Sequence, residues 1–231
     1  MKTLLPTIAL TAAAALAFAA PAAQAGSTAK MYDLRGNGGL AKAHTFVHSD
    51  VTITAHASAQ KGKRTSNAHV GQYRNGLGVT NSVKTYKNWK GQTKTYSTSG
   101  DGHFVDGKGH DDTLWLDFSS PFKITGAVFT YIGKYSEGVT VVDAHGKSLG
   151  WHNLSSVRNK WGVAHLDLTG LDYTGDSIGF KATGNYDAWK VAGVKGHAVP
   201  TPSAAAAGLL GLAAISARRR RKTEVETVSN N

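Results

Sequence analysis

The sequence predicts a mostly β protein, an antiparallel β-sandwich of jelly-roll-like form with roughly eight to ten strands. Three observations predict it. Apolar and polar residues alternate with period two in several short segments. Turn residues separate those segments at the roughly 8–12-residue spacing of sandwiches and barrels. No stretch of ten or more residues in the central part carries a convincing 3.6-residue apolar period. The chain has 231 residues, enough for one domain with appendages. With 41% hydrophobic residues it can support a core, and with no Cys it can build neither disulfides nor a thiolate metal site.

The elements follow in order. Met1-Lys2-Thr3, an apolar run from Leu4 to Ala20, then Pro21 and Ala23-Gln24-Ala25 form the basic, apolar and small-x-small parts of a secretory signal peptide. Residues 1–25 are therefore expected to be a signal helix removed by signal peptidase, leaving a domain at 26–198. In that domain Val51–Ala57 alternates over seven residues. Residues 60–110, dominated by Gly, Ser, Asn and Lys, read as long loops with short strands at Ala68–Tyr73 and Leu77–Thr80. Leu114–Phe118 alternates, and Ile124–Ile132 and Val139–Val142 are rich in β-branched and aromatic residues. Asp143–Lys147 reads as a hairpin loop leading to Ser148–Trp151. Val163–Leu168, Ser177–Ala182 and Ala188–Val194 complete the strands. Trp115 and Trp189, each inside an alternating apolar run, are expected in or near the core.

The C-terminus has three parts: Val199-Pro200-Thr201-Pro202, an apolar run of 15 residues from Ser203 to Ala217, and Arg218-Arg219-Arg220-Arg221-Lys222. The run is shorter than the roughly 20 residues of a comfortable membrane span. The arginines would hold its end in the cytoplasm. Residues 199–222 thus predict transient inner-membrane anchoring by a short transmembrane helix, with a disordered tail at 223–231.

This tail resembles the PEP-CTERM sorting signal of Gram-negative bacteria, with Thr201 where Glu is commonest between the prolines. The resemblance implies processing by an exosortase and delivery to the cell surface or extracellular matrix alongside exopolysaccharide. The central domain also looks like the β-sandwich of many proteins bearing this signal. That likeness rests on Gly76-Leu77-Gly78-Val79, Val105–Asp112, Leu114–Phe118 and Val128-Phe129. It implies no catalytic activity.

Chemistry-bearing residues are few. Histidines stand at 44, 48, 56, 69, 103, 110, 145, 152, 165 and 197, with no His-Glu-x-x-His and no P-loop around them. Glu137 is the one glutamate within 26–198, so a paired-Glu glycosidase site is not available. Asp101, Asp106, Asp111 and Asp112 interleave with Gly100, Gly102, Gly107 and Gly109. Such a loop suits calcium, which takes six to eight oxygen ligands from a sharply bending chain, or serves as a solvated turn.

Charge is unevenly placed. Residues 26–99 hold 11 Lys and Arg against 2 acids, a net of +9, whereas 100–198 hold 9 against 11, a net of −2. Lys84, Lys87, Lys90 and Lys94 interleave with Tyr86, Trp89 and Tyr96. An exported protein seldom meets nucleic acid, so an acidic exopolysaccharide is the expected polyanion, against the alternative of a basic face that only aids solubility. The leading expectation is a non-enzymatic, monomeric envelope or matrix protein. The alternative is a secreted carbohydrate-active enzyme on the same scaffold.

Overall fold

The computed structural model describes residues 28–98 and 103–200, and nearly every element in them is a strand. In chain order these are β1 (Lys30–Asp33), β2 (Gly39–Ala41), β3 (Ala43–Val47), β4 (Thr52–Lys61), β5 (Arg64–Tyr73), β6 (Gly76–Thr80), β7 (Val83–Lys87) and β8 (Thr93–Ser97). After them come β9 (Val105–Asp106), β10 (Asp111–Thr130), β11 (Gly138–Asp143), β12 (Ser148–Asn153), β13 (Ala164–Asp167), β14 (Thr174–Lys181) and β15 (Ala188–Ala198). A single 3-10 turn at Thr169–Leu171 interrupts the pattern among the described residues. The signal segment 1–25, Asp101, Thr201, Pro202, the apolar run and Arg218–Arg221 lie outside the described residues. No helix within those residues is long and apolar enough to cross a membrane.

The mostly β, antiparallel architecture agrees with the sequence. The strand count does not: fifteen strands stand where roughly eight to ten were expected. The excess comes largely from residues 60–110, expected to be long loops with two short strands at Ala68–Tyr73 and Leu77–Thr80 but occupied by five strands and the end of a sixth. Their residues are polar or small on the outward positions, which hides the alternation. In β5, Ala68 and Val70 point inward and His69 outward. Polar outward faces and small inward residues still make a complete backbone ladder, and the ladder is what defines the strand.

β10 organises the sheet. The two apolar segments 114–118 and 124–132 belong to one long strand that runs through Ser119-Ser120-Pro121. Its first half pairs with β4 and β14, and its second half with β15 and β13. The register shifts between Asp117 and Phe122, where the strand changes neighbours. β4, β5, β6, β15 and β10 pair in turn and β10 returns to β4, closing a five-strand ring. The ring closes at a narrow contact, since β6 meets β15 through Leu77 and Val191. There Gly76 has φ of +128°, and a side chain on it would meet the Val191 carbonyl at 2.6 Å. A side chain on Gly78 would run into the His103 carbonyl. Both glycines of the Gly-Leu-Gly-Val segment thus serve close backbone approach.

The core lies between the strands and is aromatic at its centre. Phe129 meets Trp189 edge-on at 5.1 Å and Phe180 at 5.5 Å, while Phe118 stacks on Phe122 at 4.3 Å. Trp189 is fully buried and its indole N–H donates to the Gly138 carbonyl. Trp115 corrects the expectation. Leu114, Leu116 and Phe118 take the inward positions of β10, so alternation sends Trp115 and Asp117 to the outer face. Trp115 lies half-buried there, stacked on His56 and donating to the Ser58 hydroxyl.

Candidate functional site

Between β6 and β9 the chain leaves the main sheet as a separate two-stranded hairpin of β7 and β8. Its base is tied down. The Asn81 amide donates to the Asp112 carboxylate at 2.9 Å, the Thr80 and Ser97 hydroxyls lie 3.1 Å apart, and the Thr98 N–H donates to the Ser82 carbonyl. Its tip is ordered by one side chain, because the Asn88 carboxamide oxygen accepts from the backbone N–H of both Lys90 and Gln92. Gly91, with φ of +73°, closes the turn in the left-handed region.

Register then decides which side chains share a face. Lys84 stands opposite Tyr96, and Tyr86 opposite Lys94. Cross-strand partners project to the same side, so two lysines and two tyrosines form a checkerboard. The Tyr86 and Tyr96 rings meet edge-on across its diagonal at 5.7 Å. All four side chains are exposed, whereas Val83, Thr95 and Ser97 on the opposite face are half-buried. Trp89 projects from the tip, 89% exposed, with the Lys90 ammonium 4.7 Å from its ring centre. Among the described residues no carboxylate lies within ion-pair distance of Lys84, Lys87, Lys90 or Lys94. This arrangement presents positive charge beside exposed aromatic rings.

Of the expected residues, Lys84, Lys94, Trp89 and Lys90 belong to the checkerboard and its tip. Lys87 does not. It pairs with Thr93 on the reverse face, because it lies an odd number of residues from Lys84. Lys61 and Arg64 sit across the β4–β5 turn, on another part of the sheet. Tyr86 and Tyr96 are the members that charge counting underrates. Period-two reading from Lys84 reaches Tyr86, but only the pairing register brings Tyr96 and Lys94 beside them.

Of the four acidic residues Asp101 lies outside the described residues, and the other three have separate contacts. Asp106 caps the Lys108 N–H, Asp111 pairs with Lys181 at 3.5 Å, and Asp112 is buried against Asn81 and the Asp106 N–H. Asp111 and Asp112 are in β10 rather than in a loop, and alternation sends their side chains to opposite faces. Among the described residues no three His, Asp or Glu side chains gather as metal ligands. Of the residues expected to form a sorting motif, Val199 and Pro200 are described, and the Val199 N–H donates to the Pro121 carbonyl at 2.7 Å.

Gly146-Lys147-Ser148-Leu149-Gly150 and Gly175-Asp176-Ser177-Ile178-Gly179 both match Gly-x-Ser-x-Gly. Ser148 begins β12 and Ser177 lies within β14, so neither occupies the strand-to-helix elbow that exposes a nucleophile. The His56 ring contacts the Asp117 carboxylate at 3.0 Å, and Ser177 pairs with Asp117 from the other side. His56 and Ser177 are therefore two strands apart, about 10 Å, with the carboxylate between them.

Comparison with known proteins adds nothing to this geometry: no family model, no curated protein and no solved structure matches the chain.

Proposed function

We propose that the chain is an exported protein of the cell envelope or extracellular matrix, sorted by an exosortase, whose domain binds acidic exopolysaccharide without catalysing a reaction. The sorting half of this reading rests on the three-part tail at 199–222, and the export half on residues 1–25. The binding half rests on the checkerboard of Lys84, Tyr86, Lys94 and Tyr96 with Trp89 at its tip. β10, shared between two sets of neighbours, supports reading the domain as a jelly-roll-like sandwich joined at one corner.

The physics separates two contributions. Ammonium groups attract polymer carboxylates over a distance screened within about 10 Å at 0.1 M salt. Exposed rings add a part that salt does not remove, by covering the apolar faces of sugar rings. Chromatography on an immobilised acidic polysaccharide tests both. The chain should be retained at low salt and elute earlier when Lys84→Glu and Lys94→Glu are combined. Trp89→Ala should remove the retention that survives at high salt. Lys87→Glu should shift elution least of the three lysine changes, since Lys87 is on the reverse face. Equal elution of all variants and the parent reduces the hairpin to a solubilising surface. Depolymerisation of the polysaccharide by the purified chain would overturn the non-enzymatic reading.

A further inference from the structure

A second surface combines cations and aromatic rings just beyond Thr130, the end of β10, on residues that are not part of the hairpin. There Tyr131, Ile132, Lys134, Arg158, Asn159, Lys160, Trp161 and Gly162 line a cleft of about 440 Å³. That volume lies within the roughly 300–1,000 Å³ of small-ligand sites.

Each wall is held in place. The Asn159 carboxamide oxygen accepts from the N–H of Trp161 and of Val163, fixing the turn that carries the indole. The Ile132 N–H donates to the Gly162 carbonyl, and the Gly133 N–H to the Ala188 carbonyl, tying the two loops together. Arg158 Nη1 donates to the carbonyls of Ile132 and Gly133. Its Nε and Nη2 have no hydrogen-bond acceptor among the described residues, and Arg158 lines the cleft. Tyr131 has φ of +52°, an uncommon backbone for a bulky residue, and such strain concentrates at binding sites.

The charges are of one sign. Lys134, Arg158 and Lys160 line the cleft and no carboxylate does. Beneath Tyr131 the nearly buried Lys190 ammonium sits among Tyr73, Phe104 and Tyr131, at 4.0, 5.1 and 5.9 Å from their ring centres. Of the acids nearest in sequence, Asp187 is spent on the N–H groups of Glu137, Gly138 and Gly184, and Glu137 is exposed outside the lining. Trp161 is 77% exposed although its loop is pinned at both ends. The Lys160 ammonium lies 5.1 Å from the Trp161 ring centre, so cation and ring stand together in the lining.

We infer that this cleft is a subsite for a single carboxylated sugar, a uronate residue, whose ring lies on Trp161 and whose carboxylate meets Arg158 with Lys134 and Lys160. The open guanidinium edge offers the two parallel N–H donors that a carboxylate takes in bidentate fashion. The ligand class rests on the polysaccharide reading above, whereas the surface is separate from the hairpin. With both surfaces in use, one chain holds acidic polysaccharide at two places and links strands of it.

Calorimetric titration of the full chain with trigalacturonate tests the inference, with uncharged maltotriose as the control. Trigalacturonate should bind and maltotriose should not. Trp161→Ala and Lys160→Gln should each weaken binding about tenfold, equivalent to about 1.4 kcal/mol. The Lys84→Glu, Lys94→Glu pair should leave trisaccharide affinity within about twofold, which is about 0.4 kcal/mol. Near-ultraviolet circular dichroism of each variant checks that the fold is retained, and Trp161→Phe should restore part of the affinity. Absence of binding, equal binding of maltotriose, or indifference to Trp161→Ala overturns the subsite. Loss of trisaccharide binding in the hairpin pair alone overturns it too, while leaving the hairpin reading standing. The converse result, cleft binding with no hairpin effect on polymer retention, removes the hairpin reading and keeps the cleft.

Discussion

At the scale of single residues, burial and not residue type decides behaviour, and histidine illustrates it. Burial holds the His152 ring below the ordinary histidine value, and its Nε2 has no hydrogen-bond partner. His69 is lowered by burial and then by the positive charge of Lys42. A histidine with a depressed folded value binds fewer protons folded than unfolded between that value and its ordinary 6.5. Stability should therefore rise with pH through that window and level off above it. The paired aspartates Asp33 and Asp50 act lower: Arg35 holds Asp33 down, and Tyr32 and Lys30 outweigh the effect of burial at Asp50. Their contribution is complete above the ordinary carboxylate range. Urea midpoints between about pH 5 and about pH 7 should rise for the parent and rise less for the His69→Gln, His152→Gln pair. A parent midpoint that is flat or falls across this range contradicts the assignment. Tryptophan shows the same rule through packing. Trp189→Ala opens the aromatic centre and should cost about 3–5 kcal/mol in urea unfolding. Trp115→Ala, on the outer face, should cost clearly less, which the same measurement checks.

At the scale of elements, the two adjacent acids at the start of β10 separate cleanly. Asp112 is buried and its carboxylate joins the base of the hairpin to the main sheet. Asp111 projects to the outer face and pairs with Lys181 in partial contact with water. Asp112→Asn should destabilise the domain by about 1–3 kcal/mol, because a buried charge-assisted hydrogen bond is weakened and a partner is left short. Asp111→Asn should cost less than about 1 kcal/mol, as exposed ion pairs do. Urea unfolding of both variants checks the contrast; equal costs would mean that Asp112 does not anchor the hairpin. Sequence reading grouped these residues in one acidic loop because adjacency along the chain looks like proximity. In a strand, adjacency instead guarantees opposite faces. The same geometry removed Lys87 from the basic face and brought Tyr96 into it.

At the scale of the whole molecule, the sheet ends where the proposed sorting signal begins. β15 stops at Ala198, and the Val199 N–H is fixed to the Pro121 carbonyl. Cleavage just beyond this point leaves every described strand intact. On the proposed function, surface-extracted protein should lack residues 1–25 and should lose its tail near Pro200–Pro202 when an exosortase is present. Mass spectrometry that finds Arg218–Arg221 still attached counts against it. The fragment 26–198 should give a β-dominated far-ultraviolet spectrum and a soluble monomer; a helix-dominated spectrum sinks this boundary. The sequence by itself determined the strand-rich class, through alternation at Val51–Ala57 and Leu114–Phe118, and the hairpin at Asp143–Lys147. These signals are local: period two and turn chemistry are complete within a few residues. It did not reveal the polar first half of β5 or the strands β7 and β8, whose ladders depend on pairing partners. Nor did it reveal the cleft at Tyr131 and Trp161, built by loops about 30 residues apart. Only tertiary pairing decided that five strands close into a ring and which side chains meet across it, because register is set by the partner strand and cannot be read along one chain segment.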